Sequence, residues 1–151
     1  MPAFSVYGSD TNTATTTMLY FVNGASNTHR LKLYEVIFGS AATPGDQAVE
    51  YNLRRIDDEN ATPGGSAVTP AVLEEGATAA FSNAVEAPSG EPTFESGQIL
   101  ELAVNQRATW RWIASPGSEL ICTAAEDTGF GIFSAAVTTA FAANFTMLYL
   151  E

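Results

Sequence analysis

His29 is the single histidine of this chain and Cys122 the single cysteine, so chemistry that needs paired imidazoles or thiols has nothing to draw on. A metal site on a β barrel takes several imidazoles. A serine–histidine–acid triad would have to use His29, which stands in SNTHR ahead of an apolar run, and no nucleophile elbow occurs anywhere. Cys122, in ELICTA, has no basic neighbour in sequence to activate it. A small buried apolar residue is its simpler role. The acidic run Asp57, Asp58, Glu59, Asn60 offers oxygen ligands of the kind calcium takes. It lacks the alternating spacing of a calcium loop, its glycine comes late and no bidentate glutamate closes it. A solvated turn is favoured there over a cation site. The chain is expected not to be an enzyme, and to use no cofactor or metal.

The stretch NQRATWRW at 105–112 is the remaining concentration of chemical groups. Arg107 and Arg111 stand among Trp110 and Trp112, the only tryptophans, in a chain with 6 basic residues. On a strand, alternation puts Trp110 and Trp112 on one face and Thr109, Arg111 and Ile113 on the other. Core is the simplest role for the tryptophans; an exposed aromatic platform is the alternative. Arg54 and Arg55 form the other basic pair, one on each face of their strand. Arginine pairs bidentately with carboxylates and is enriched with Trp and Tyr at interface hot spots. Among excess carboxylates, plain surface ion pairs of small worth are the competing reading. Arg54, Arg55, Arg107 and Arg111 are therefore candidate subunit or partner contacts.

The charge balance narrows the partners. Net charge is −11, the pI is about 4.3, and Lys32 is the one lysine. Phosphate binding draws on clustered Lys and Arg, so nucleic acid is not an expected partner. An anionic membrane surface is disfavoured for the same reason, and no apolar run approaches the ~20 residues of a membrane span. MPAFSVYGSD lacks the basic region and apolar core of a secretory signal, so the chain is expected to act where it is made or to leave the cell within something larger. Charged residues are only 15%, against roughly 25% in typical soluble domains. Such a surface is cheap to desolvate and suits an oligomer or assembly subunit.

The elements that must position these groups read as strands. ATTTMLYFV (14–22) is rich in Thr and aromatics and stops at Asn23-Gly24. RLKLYEVIF (30–38) changes apolar parity between Leu31/Leu33 and Val36/Phe38, which implies a bulge or a strand buried on both faces. VEYNLRRI (49–56) alternates cleanly. QILELAV, ATWRWIA, ELICTA, GIFSAAVTTAF and NFTMLYLE follow from 98 to the end, punctuated by turn residues. Between them, 57–97 is dense in Gly, Pro, Ser, Ala and acid. Within it only TPAVLEEGATAAF (69–81) suggests a helix, with Thr69 as cap and Pro70 at the first position. So long an irregular piece is expected to be functional or assembly-related, as a contact arm or exposed knob. The expected architecture is all-β: an antiparallel β-sandwich or jelly roll with one long irregular insertion and at most one short helix. Residues 14–151 form a single domain, and 1–13 an N-terminal arm in which Phe4 and Tyr7 are candidate contacts with a neighbour.

HRLKLYEVIFGS (29–40), YNLRRI (51–56), VTPAVLEEG (68–76), ILELAVNQRATWRWIASPGSELICTA (99–124) and FTMLYLE (145–151) together resemble small virion structural proteins of tailed bacteriophages. Some similar proteins are capsid decoration, or cement, proteins. The resemblance implies a jelly-roll-like fold, a homotrimer, and a place on the outer surface of the icosahedral shell against the major capsid protein. It carries no catalytic or metal residue. A receptor- or carbohydrate-binding module of a virion is the alternative, with Trp110 and Trp112, or Tyr20, Tyr34 and Tyr51, as its aromatic platform.

Overall fold

Period-two patterning becomes two antiparallel sheets packed face to face in a computed structural model that describes residues 1–12, 15–27, 29–137 and 139–151, the side chain of Asn12 excepted. The strands are β1 (Ala3–Asn12), β2 (Thr16–Val22), β3 (Lys32–Ala42), β4 (Ala48–Asp58), β5 (Ser66–Val68), β6 (Ala71–Val72), β7 (Asn83–Glu86), β8 (Thr93–Asn105), β9 (Trp110–Ile113), β10 (Leu120–Ile121), β11 (Gly129–Val137) and β12 (Phe141–Leu150). The first sheet runs β10–β3–β12–β1–β6, with β9 pairing to β3 as well; the second runs β5–β7–β2–β11–β4–β8. The chain is an all-β sandwich.

The core lies between the sheets, where alternate residues converge. Phe4 and Val6 of β1, Leu19 and Phe21 of β2, Phe38 of β3, Tyr51 of β4, Phe130 of β11 and Phe145 and Tyr149 of β12 are all buried. The ring of Phe21 stacks on Tyr149 at 4.3 Å, and Tyr149 stacks on Phe4 at 5.6 Å. Such pairs add about 0.5–1.5 kcal/mol each beyond the area they bury. At Gly129 the strands pass so closely that a Cβ would sit 1.9 Å from the Phe21 carbonyl oxygen, so β11 can begin there only with glycine.

Several expectations are corrected. The N-terminal arm is instead β1, paired to β12 from Ala3↔Leu150 to Asn12↔Phe141. Phe4, a candidate contact, belongs to the core, 1% exposed. The alternation Phe4, Val6 against Ser5, Tyr7 pays for the order by burying one side. No helix forms at 69–81. Ala71 and Val72 pair with Ser5 and Phe4, and Leu73 N–H donates to the Ala3 carbonyl at 2.9 Å. An isolated helix this short is marginal in water, whereas the outer edge of β1 offers backbone partners at once. Thr13, Ala14, Thr28 and Thr138, at the end of the expected arm, the start of the first expected strand, within SNTHR and within GIFSAAVTTAF, lie outside the described residues.

The segment 57–97 supplies β5, β6, β7 and the start of β8, and much of the rest folds back across the outer face of the second sheet. The reason is β2, which is apolar on both sides. Leu19 and Phe21 face the core, while Tyr20 and Val22 form a second buried cluster with Ile56 and Val85, flanked by Phe94. Tyr20 donates its hydroxyl to Glu59 at 2.6 Å. Glu91 accepts the Thr17 N–H at 3.0 Å and also its hydroxyl, and Ala87 N–H donates to the Met18 carbonyl at 3.0 Å. The parity change in β3 is a register shift against β12, between the pairs Glu35↔Leu148 and Leu33↔Tyr149.

Candidate interaction surface

NQRATWRW divides into a turn and an edge strand. Gln106 is 2% exposed: its amide oxygen accepts from Gly45 N–H at 2.8 Å and its nitrogen donates to the Thr139 carbonyl at 3.0 Å. It fastens the loops at that end of the sandwich, a role that its polar side chain and turn context did not announce. Arg107 is exposed in the turn, its N–H donating to the Asn105 side chain at 2.9 Å. Trp110 and Trp112 pair in register with Phe38 and Val36 and pack against the core. The Trp110 ring lies 5.4 Å from Phe38. Both are half-buried.

Their partial cover follows from the shape of the sandwich. On one side β1 lies against β2, β5 and β7, closing the two sheets together; no comparable contact joins β8 to β9 on the other. The inward side of β8, Leu100, Leu102 and Val104, is therefore half-buried too. A narrow cleft between the edges is lined by Phe38, Tyr51, Leu53, Leu100, Leu102 and Trp110. At one end it is bridged by Arg55. The Arg55 Nε donates to the Ile121 carbonyl at 3.2 Å, its guanidinium is 4.0 Å from Glu95, and it lies 5.9 Å from the Phe130 ring. Arg55 thus ties β4 and β8 of one sheet to β10 of the other.

Arg54, on the opposite face, lies over Phe133 at 4.7 Å and Phe94 at 5.6 Å. Arg111 points outward from the first sheet, 2.5 Å from Glu35 of its own chain. Glu35 is 7% exposed, and the bond to it raises the Arg111 pKa further. Arg54, Arg55 and Arg111 are thus engaged within the chain. Tyr7 is different: it is 64% exposed on the outer face of the first sheet.

That face is the feature that single-residue reasoning missed. The register aligns Arg111, Ile37, Thr146 and Tyr7 in one row, and Ile113, Glu35, Leu148 and Ser5 in the next. Asn144, Ser9, Leu150 and Ala3 extend it along β12 and β1. Among these the only ions are Glu35 and Arg111, which neutralise each other. Most acidic groups lie elsewhere: Glu50 and Glu101 on the second sheet, and Asp57, Asp58, Glu59 and Glu91 in the segment laid over it, while Glu86 of β7 accepts the Ser9 N–H at 2.8 Å at the edge of β1. A molecule of net charge −11 therefore has one charge-poor face, with Lys32 beside Leu150 at one end and Glu86 beside Ser9 at the edge of β1. Alternation in β1 and β12 carries this signal, but only once the two are known to be neighbours.

The residues with redox or metal potential are placed apart. Cys122 is buried, within 3.8 Å of the Thr128 carbonyl, and burial pushes its thiol pKa up. His29 is exposed beside Pro2, Phe4, Phe81 and Glu151. Asp57 and Asp58 are exposed, Glu59 serves Tyr20, and Asn60 accepts from Thr62 N–H at 2.9 Å. Among the described residues no group of three or more His, Cys, Asp or Glu is arranged to hold a metal ion. Comparison with protein-family models, curated proteins and solved structures finds no match for this chain.

Proposed function

We propose that the chain is a structural subunit of a tailed-bacteriophage head, binding the outer capsid surface as a trimeric decoration, or cement, protein that stabilises the shell. The observation that carries the reading is the charge-poor outer face of the first sheet, where Glu35 and Arg111 pair with each other. Desolvating an ion costs several kcal/mol, so an acidic protein loses least by docking through the face that carries the fewest. Strands β3, β12 and β1, ten or eleven residues long, with the four-residue β9 beside them, cover roughly 550 Å² at about 4.8 Å spacing. That approaches the ~800 Å² per partner of a stable protein interface. The acidic remainder favours the outside of a shell over contact with packaged DNA.

The strand order supports the same reading. β1–β12–β3–β9 faces β2–β11–β4–β8, and the consecutive pairs β1/β2, β3/β4, β8/β9 and β11/β12 are each split between the sheets. We read this as a jelly roll, the form that the resemblance to decoration proteins implies. A receptor- or carbohydrate-binding module would need an aromatic platform. Tyr20 and Tyr51 are buried, and Trp110 and Trp112 turn toward the core. The capsid reading is tested with shells that lack this chain. Tyr7→Asp and Ile113→Asp, both at exposed positions, should weaken binding by a hundredfold or more, and Glu50→Gln on the second sheet should not. Equal binding by all three would overturn it.

A further inference from the structure

We infer that the free edge of β8 pairs with the β8 of a second copy, antiparallel and centred on Leu102, about a two-fold axis. The contact is separate from the three-fold one proposed above and joins neighbouring trimers. β8 is the outermost strand of the second sheet and, at 13 residues, the longest strand described. Edge strands are usually short, or blunted by lysine, proline or bulges. The other edge strands here, β5, β6, β9 and β10, have two to four residues. Up to Leu100 the register of β8 against β4 is broken repeatedly, but from Leu100 to Asn105 it runs without a shift. That stretch holds no lysine or proline and one charge, Glu101. Its inward side chains, Leu100, Leu102 and Val104, are only half-buried, as are Trp110 and Trp112 across the open side of the sandwich.

Register selects a second copy as the occupant. The Gln106 N–H donates to the Gln47 carbonyl at 2.9 Å, one step beyond the pair Asn105↔Ala48. In an antiparallel ladder such bonded pairs alternate, so Leu100, Leu102 and Val104 direct their main chain to β4. Glu101 and Ala103 direct theirs to the free edge, where no strand meets them among the described residues. Two free edges bond only when such outward residues oppose one another. Centring on Leu102 does this: Glu101 faces Ala103, Leu102 faces itself and Leu100 faces Val104, with apolar groups together on the inward side. Centring on Glu101 would set two carboxylates directly opposite, which repel. Centring on Ala103 would run the pairing into the turn at Gln106. The span 99–105 is thus its own complement. A two-fold through an antiparallel pair stands perpendicular to the sheet, so both copies turn the outer face of the first sheet the same way. The pair can lie flat on one shell. Seven residues at about 3.4 Å, across a two-sheet thickness of roughly 20 Å, give about 480 Å² per copy. That is the low end for a specific contact, so the pair gains most where a surface already holds copies side by side.

Disulfide trapping tests this. Purified Leu102→Cys should oxidise to a covalent two-chain species, because facing residues of such a pair lie about 4.5 Å apart at Cα, within disulfide reach. Ala103→Cys should link to itself at least tenfold less, because its two copies stand on a diagonal, but should link to Glu101→Cys in a mixture. Wild type is the control for the buried Cys122. In the Leu102→Cys background, Ala103→Pro deletes an N–H that β4 does not use. The fold should stand by circular dichroism while linking falls at least tenfold. Ala103→Glu, which sets carboxylates opposite Glu101, should lower linking as much, and added Glu101→Lys should restore it, a readout that stands if the proline variant fails to fold. No link at Leu102, or equal linking at 102 and 103, would overturn the inference. So would loss of shell binding by Ala103→Pro without any Leu102 link, which would give the edge to a strand of the shell protein. Tyr7→Asp and Ile113→Asp read the other face, so the capsid reading stands or fails separately.

Discussion

Tyr20→Phe removes one hydroxyl and nothing else, and it asks whether segment 57–97 is part of the core or a detachable arm. The ring of Tyr20 is fully buried between β2 and the folded-back segment, so phenylalanine keeps its packing. What is lost is the 2.6 Å bond to Glu59. Hydrogen bonds to charged groups are worth about 1.5–3 kcal/mol, and the low end applies because the half-exposed Glu59 can turn to water. For a chain of this size about 1.5 kcal/mol lowers the melting temperature by roughly 3–6 °C. Ile56→Ala in the same cluster should cost about 3 kcal/mol, since its neighbour Phe94 is only half-covered and the site can partly collapse. Urea unfolding with amide exchange is the assay. If the segment folds with the sandwich, both variants shift the unfolding midpoint, and exchange at 57–65 rises roughly tenfold for Tyr20→Phe in step with β2 and β11. Unchanged global stability with faster exchange confined to 57–97 would refute the reasoning and restore the arm.

Asp10 has its pKa raised from 3.8, first by burial and then by the nearby Glu86, against the lowering effect of a backbone bond at Thr11. A raised carboxyl contributes stability that is present below its unfolded pKa and lost as pH rises through the folded one. Asp10→Asn should therefore raise the melting temperature at pH 7 and leave it unchanged below about pH 3.8, as calorimetry across that range would reveal. Phe21→Ala should cost about 3–5 kcal/mol, because its ring is enclosed by Tyr149 and Phe130. Trp110→Ala, at the half-open edge, should cost clearly less despite the larger side chain. Equal losses in denaturant titrations would mean that the β8–β9 side is as closed as the other.

How far the chain could be read beforehand depended on whether a signal was local. β3, β4, β8, β9, β11 and β12 were visible because Tyr51 and Leu53, or Trp110 and Trp112, repeat every second residue and one side must be buried. The bulge in β3 was visible as a break in that repeat. β1 carries the same alternation in Phe4 and Val6, but a polar run of Gly, Ser, Asp and Thr follows at once, and the stretch reads as an arm. β5, β6 and β7 are two to four residues long and exist because longer strands offer them an edge, which no local pattern records. The helix expected at Thr69–Phe81 lost to the same tertiary pairing. Arg54 and Arg55 were correctly separated onto opposite faces, yet their partners Phe133, Phe94, Glu95 and the Ile121 carbonyl come from distant strands. The charge-poor face is assembled from β1, β3, β9 and β12, and becomes visible only when register places Tyr7 beside Thr146 and Ile37 beside Arg111.

Electron microscopy of purified particles that carry this chain tests the central proposal most directly. The account predicts three-fold density on the outside of the shell, each subunit a two-sheet sandwich whose first sheet, with Tyr7 and Ile113, faces the capsid protein and whose acidic second sheet faces solvent. Density for the chain at the neck or tail, or on the shell with the second sheet against the capsid, would contradict it.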